Sequence, residues 1–171
     1  MRVIGIDPGT AITGYGIVNE TSDGSLESIT YGVIETSSQQ TMPVRLLQMH
    51  EELGNLISLY RPEVGAVEKL FFQRNVRTAM AVGQGRGVVL LTMAKAGLPI
   101  EEYTPMEVKQ SISGYGGADK MQVQLMVRAL LGLAELPQPD DAADALAVAI
   151  CHIHSAKMRG ILNAPMNDDG L

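Results

Sequence analysis

Residues 2–10 read Arg2-Val3-Ile4-Gly5-Ile6-Asp7-Pro8-Gly9-Thr10. An apolar run this short and this rich in β-branched residues is a strand buried on both faces. Pro8-Gly9-Thr10 ends it in a turn, which leaves Asp7 at the strand's end. Outward from it, residues 12–19 carry a second strand around Gly14-Tyr15-Gly16-Ile17-Val18. Ser22-Asp23-Gly24-Ser25 is a hairpin turn and 26–35 a third strand, so three antiparallel strands open the chain.

The period then changes. Leu46, Leu47, Met49, Leu53, Leu56, Ile57 and Tyr60 repeat at helical spacing over 43–60, with Pro43 in the first turn and Arg61-Pro62 as the stop. Val64-Gly65-Ala66-Val67-Glu68 is a fourth strand, again closed by an acid. A polar, basic and aromatic stretch, 69–77, leads into a helix ending near Ala96, with Gly97 as its cap. Leu98 to Tyr103 is a fifth strand. Helices over 105–112 and 119–132 flank the loop Gly114-Tyr115-Gly116-Gly117, and a last helix covers 140–158. This order predicts an α/β fold, a mixed five-stranded sheet flanked by helices, with Asp7 and Glu68 on neighbouring strands. One domain is expected over 1–158, with a disordered tail over 159–171.

Composition narrows the class. Apolar residues make up 46% of 171, enough for a real core. The one cysteine, Cys151, lies in an apolar helical pattern and reads as a buried structural thiol, in keeping with a reducing cytoplasm. No signal peptide is expected, and no apolar run approaches the roughly 20 residues that span a membrane. The net charge of −6 argues against simple nucleic-acid binding. Its distribution argues back: residues 69–128 hold eight Lys/Arg against four Asp/Glu, a net of +4, and the remainder carries −10.

Four acids carry the chemistry. Asp141 and Asp144, three apart on the last helix, share a face; Asp140 can serve as its N-cap. Alone, such a pair merely complements the helix dipole. Together with Asp7 and Glu68 at the ends of buried strands, it can converge on one small volume. Carboxylates packed so closely repel one another unless a cation joins them. Oxygen-only ligation suits Mg2+ or Mn2+, which work in pairs on phosphodiesters, so the first reading is a metal-dependent nuclease.

Other motifs are weighed against plainer roles. Ile6-Asp7-Pro8-Gly9-Thr10 is similar to the first phosphate loop of actin-like kinases and ATPases, but that family needs two half-domains. Gly83, Gly85 and Gly87 interrupt a helix at about 1 kcal/mol each against Ala, so close backbone approach must offset them. Internal packing and a helix–helix dimer contact both satisfy that. Phe71 and Phe72 are the only phenylalanines. With Arg74 and Arg77 they suit distorted or unpaired nucleic acid, rings on bases and guanidinium groups on phosphates. One ring is expected to be buried and one to face the site. Lys109 and Lys120 flank the glycine loop and can clamp a phosphate backbone. His152 and His154, two apart, face different ways and read as helix-surface or partly packed residues.

The chain resembles the bacterial RuvC family of Holliday junction resolvases along nearly its whole length. The resemblance rests on Ile4-Gly5-Ile6-Asp7-Pro8-Gly9-Thr10 with Gly14-Tyr15-Gly16, on Ala66-Val67-Glu68 with Phe71 and Asn75, on Gly83-Gln84-Gly85-Arg86-Gly87-Val88, on Val108-Lys109-Gln110, and on Asp141-Ala142-Ala143-Asp144-Ala145-Leu146-Ala147. It implies an RNase H-like fold and a homodimeric, magnesium-dependent endonuclease. Such an enzyme nicks two opposed strands of a four-way junction symmetrically, leaving 5′-phosphate and 3′-hydroxyl ends. By resemblance the catalytic, metal-holding acids are Asp7, Glu68, Asp141 and Asp144, the base-stacking aromatic is Phe71, and the two important lysines are Lys109 and Lys120. The RuvA-RuvB branch-migration motor is the implied partner. A related nuclease acting on RNA or RNA–DNA hybrids, a non-catalytic junction binder and an actin-like ATP-binding half remain as other readings.

Overall fold

The computed structural model describes residues 1–69 and 76–162. Its elements run β1 (Arg2–Asp7), β2 (Ile12–Glu20), β3 (Leu26–Glu35), α1 (Met42–Tyr60), β4 (Val64–Glu68), α2 (Val76–Lys95), β5 (Ile100–Tyr103), α3 (Pro105–Ser113), α4 (Lys120–Leu130) and α5 (Asp140–Leu162). The five strands form one sheet ordered β3-β2-β1-β4-β5. β1, β2 and β3 pair antiparallel, whereas β4 runs parallel to both β1 and β5, giving the expected mixed sheet.

Side chains alternate across the strands and sort the core into two layers. Ile4, Ile6, Ile17 and Val67 point to the side covered by α1 and α2, where they meet Met49, Leu53, Val89 and Met93. Val3, Val18, Val64 and Ala66 point to the side covered by α5, with α3 and α4 beyond it. Each fully buried Ile, Leu or Met adds about 1.5–3 kcal/mol. Alternation then dictates where the strand-end acids go. Asp7 follows Val3 and Gly5 onto the α5 side, and Glu68 follows Val64 and Ala66 onto that side too.

Glycines let α5 come close. A Cβ at Gly16 would stand 2.9 Å from the Leu146 Cα, one at Gly14 would stand 2.5 Å from the Asp141 carbonyl carbon, and one at Gly5 would stand 2.6 Å from the Ala149 amide. These strand glycines face Ala142, Ala145 and Ala149 of α5, all buried. The helix axis therefore lies nearer the sheet than larger residues would allow. This approach brings the start of α5 over the ends of β1 and β4.

Local chemistry sets the boundaries. Arg61 adopts a left-handed conformation (φ 48°), its N–H bonds the Ile57 carbonyl, and Pro62 prevents continuation of α1. The Leu98 N–H bonds the Met93 carbonyl behind Gly97 (φ 72°), so Leu98 completes the α2 cap and β5 starts two residues later than expected. Capping boxes fix the starts of α3 (Thr104 with Glu107) and α4 (Asp119 with Gln122). α5 begins at Asp140, and the Pro139 carbonyl accepts from the Ala142 and Ala143 amides. Asp140 is thus inside the first turn and is not the N-cap. α5 continues to Leu162, four residues past its expected end. The remainder of the expected tail, 163–171, lies outside the described residues.

Candidate active site

The turn after β1 is built into the scaffold. The Thr10 hydroxyl donates to the Ala81 carbonyl of α2 at 2.5 Å, and Thr36 donates to the Thr10 carbonyl at 2.5 Å. A Cβ at Gly9 would collide with the Ile12 carbonyl oxygen. The Pro8-Gly9-Thr10 turn therefore serves to clamp α2 to the sheet and to hold Asp7 at a rigid strand end.

Asp7 and Glu68 end neighbouring parallel strands whose preceding residues, Ile6 and Val67, are in register. Asp141 and Asp144 descend on them from the first turns of α5. The electrostatics record the convergence. Burial, then Glu68, Asp144 and Asp141 in that order, push the Asp7 carboxyl up from 3.8 to about 8. Asp7 therefore keeps a proton at neutral pH and donates it towards Glu68, which lowers the Glu68 pKa. Burial still leaves Glu68 raised, with Asp144 adding to the rise and Lys109 and Lys120 opposing it. Asp144 is raised as well, by burial first, against the pull of Lys120. Three half-buried carboxyls raised together mark a volume short of positive charge.

Two lysines supply part of it. Glu68, Lys109, Lys120 and Asp144 line one cleft of about 220 Å³, floored by Val108, Val123 and Ala147. The Lys120 ammonium is 3.1 Å from Asp140 and 3.2 Å from Asp144. Burial disfavours its charge, but these two acids outweigh that and raise its pKa. Among the described residues, no three His, Cys, Asp or Glu side chains form a ready cage for an ion. A proton on Asp7 and the ammonium on Asp144 offset part of the acids' charge as they stand.

The structure thus brings together Asp7, Glu68, Asp141, Asp144, Lys109 and Lys120. Phe71, Phe72 and Arg74 lie outside the described residues, and Arg77 is located only as a backbone position in the first turn of α2. The basic surplus of 69–128 is partly engaged: Arg86 pairs with Glu102 at 2.5 Å, and Lys120 with the α5 acids. His152 is not a surface residue. It is buried, with its Nδ1 2.9 Å from the Tyr103 hydroxyl, and burial lowers its pKa. His154 is half-buried beside Ser111. Cys151 is buried as expected, its thiol pushed up to about 11 by desolvation. Sequence reasoning missed Asp140 as a partner of Lys120, for the two are twenty residues apart with no shared motif.

Comparison with known proteins places the chain in a family. The profile of the family described as "Crossover junction endodeoxyribonuclease RuvC" matches residues 3–152. A curated protein of that name from Syntrophomonas wolfei is 53% identical over 170 residues, covering 99% of this chain and 98% of its own. The solved RuvC structure of Thermus thermophilus superposes with a TM-score of 0.87 at 40% identity, covering 93% of this chain and 97% of that one. The Thermus protein in complex with Holliday junction substrate gives a TM-score of 0.85 at 38% identity, covering 92% and 96%.

Proposed function

Because the chain belongs to the RuvC family of crossover junction endodeoxyribonucleases, we infer that it is a structure-specific endonuclease that resolves four-way DNA junctions in recombination and repair. The observation that carries this reading is the convergence of Asp7, Glu68, Asp141 and Asp144 beside two lysines in one cleft. The relatives' names and the junction bound to the Thermus protein support the same substrate.

The donor set fits a hard divalent cation. Every candidate ligand is a carboxylate oxygen, and the raised pKa values of Asp7, Glu68 and Asp144 support a site whose charge added cations would stabilise. Asp7, Glu68, Asp141 and Asp144 would hold Mg2+, two ions per site, with Mn2+ able to substitute. When bound, the ions supply Lewis acidity at the scissile phosphate, activating water and stabilising the 3′ leaving oxygen.

The chain's own groups do the rest. Asp7, at the end of the central strand β1, feels the charge of all three other acids and, deprotonated, would be a ligand to the bound cations. Glu68 and Asp144 line the cleft and orient what enters it. Lys109 and Lys120 place ammonium groups where a phosphate backbone must pass, holding the scissile phosphate and offsetting developing charge. Phe71, with Arg74 and Arg77 near it in sequence, is assigned to an unstacked base and its flanking phosphates. Sequence-dependent deformability at the crossover adds selectivity.

Paired nicks need two sites, and α2 offers the means. Gly85 is explained internally: its Cβ would meet the Gly9 carbonyl oxygen at 3.1 Å. Among the described residues, a Cβ at Gly83 or Gly87 would meet no atom within 4 Å outside its own stretch of helix. Met80, Gln84, Gly87 and Leu91 form an exposed stripe at helical spacing. This supports a homodimer joined along α2. Family membership supports delivery by a RuvA-RuvB complex, and a DNA substrate supports a cytoplasmic location; among the described residues no helix is long and apolar enough to cross a membrane.

The test is a substrate panel: a labelled four-way junction, a matched duplex and an RNA–DNA hybrid, with and without Mg2+, beside Asp7→Asn. Paired, metal-dependent nicks confined to the junction and lost in Asp7→Asn are expected. Cutting of the hybrid in preference to the junction, or none at all, overturns the reading.

A further inference from the structure

Asp140 precedes the acid pair and is not needed to cap its helix, yet it is held in one orientation. One carboxylate oxygen lies 3.1 Å from the Lys120 ammonium, and the other accepts from the Gln124 amide at 3.0 Å. Gln124 is buried and stands one turn after Lys120 on α4. Asp144 stands one turn after Asp140 on α5, its oxygen 3.2 Å from the same ammonium. Residues four apart on each helix thus face each other across the cleft mouth. Lys120 is the first residue of α4, whose start is fixed by the Asp119–Gln122 capping box, so its stem leaves a rigid base.

We propose that Asp140 is a positioning residue that, oriented by Gln124, retains the Lys120 ammonium at the cleft mouth when a cation takes Asp144. The inference rests on the metal-dependent reading above. In the structure Lys120 is shared between two acids with different surroundings. Asp144 is half-buried beside Glu68 in the cleft and close enough to Asp7 to raise its pKa, where a divalent ion would compete for its oxygens and repel the ammonium. Asp140 is exposed, outside that group and anchored from behind. As the ion binds, the ammonium loses one partner and keeps the other. It stays on the wall lined by Glu68 and Lys109 and meets the incoming phosphate without a new search through its rotamers. Without Asp140, the same ion would free Lys120 into solvent.

Lysines are labelled with a limiting amine reagent in the metal-free protein and with Mn2+, and Lys120 is read by mass spectrometry against Lys157. In the wild type, Mn2+ leaves Lys120 labelling nearly unchanged. In Asp140→Asn, Mn2+ raises it about three- to fivefold, the size that loss of one exposed ion pair allows. Asp140→Glu, which keeps the carboxylate, restores protection. The loss of cleavage in Asp140→Asn disappears in a Lys120→Met background. Uptake of Mn2+ is followed separately by the resonance of the free ion, with Asp7→Asn beside the wild type. Uptake that depends on Asp7, with equal Lys120 labelling in wild type and Asp140→Asn, overturns this inference and leaves the nuclease reading standing. Absence of Asp7-dependent uptake overturns both.

Discussion

Gly14→Ala is the sharpest perturbation of the site that touches none of its acids. The new Cβ would stand 2.5 Å from the Asp141 carbonyl carbon, whereas ordinary contact begins at 3.4 Å. The Asp141 carbonyl oxygen lies nearer still and is also backbone, so no rotamer change relieves the clash, and the start of α5 must retreat by at least about 0.9 Å. Asp141 and Asp144 ride on that turn while Asp7 and Glu68 stay with the sheet. A misplacement of about 1 Å costs on the order of 100-fold in rate where reacting groups must be aligned. Overpacking costs about 1–3 kcal/mol of stability besides. Gly32→Ala is the matched control. Its Cβ would stand 2.7 Å from the Tyr15 hydroxyl, an overpacking of β3 that leaves α5 in place. Single-turnover junction cleavage at saturating protein, well below both melting temperatures, separates the two. Gly14→Ala is expected to cut about 100-fold slower and Gly32→Ala near the wild-type rate, with junction affinity kept in both. A Gly14→Ala protein that is folded and cuts as fast as Gly32→Ala would refute the argument that glycine-mediated approach of α5 sets the site.

Three further outcomes are expected. Asp7 has a folded-state pKa of about 8, above its ordinary 3.8. The folded, metal-free protein therefore holds a proton that the unfolded chain releases, a stabilisation full below about pH 4 and lost as pH rises through 8. Asp7→Asn should melt higher than wild type at pH 8 without metal, show a flatter stability–pH curve between 4 and 8, and cut nothing; an equal or lower melting temperature at pH 8 would show that Asp7 is not strained by its neighbours. Gly87→Arg, on the exposed α2 stripe, should convert the proposed dimer to monomers in sedimentation equilibrium with little change in the circular dichroism of the fold; an unaltered dimer would move the interface elsewhere. Phe71→Ala should slow cleavage about five- to 150-fold, the loss of about 1–3 kcal/mol that one base–aromatic stack supplies, while Mn2+ uptake stays unchanged; normal turnover would remove Phe71 from the mechanism.

The sheet and the four acids were legible because both follow from period. Val3-Gly5-Asp7 and Val64-Ala66-Glu68 alternate with Ile4-Ile6 and Val67, so the side of each acid is set by counting. The helix pattern from Asp141 onward is apolar nearly all round, as a helix packed on a sheet must be. The strand glycines carried a signal that could have been used further: Gly5, Gly14 and Gly16 weaken a strand unless another backbone comes close, and the alanines of α5 are the matching surface. Two features were hidden for physical reasons. Leu98 has strand-like character, but the Gly97 cap draws its N–H to Met93, a hydrogen bond that propensity does not count. Asp140 looks like an N-cap, but capping is decided by backbone geometry. With the Pro139 carbonyl already taking the first amides, its side chain was left for a lysine twenty residues earlier in the chain.

The arrangement explains how one small domain keeps four acids together before any ion arrives. Hydrophobic packing of α5 against a glycine-lined sheet imposes the distance, and the carboxylates yield in protonation rather than in position. Asp7 takes up a proton and Asp144 borrows the Lys120 ammonium, each a removable cation. On the metal-dependent reading proposed above, both would be displaced by divalent ions: the proton to solvent, the ammonium onto Asp140, within reach of a phosphate. The same acids are therefore a cost to the metal-free fold and an attraction for the ion. The two effects must be tied in sign. Any substitution that relaxes the crowding at Asp7 should stabilise the metal-free protein and weaken its hold on the metal together, and a variant that stabilised the fold while tightening metal binding would break that link.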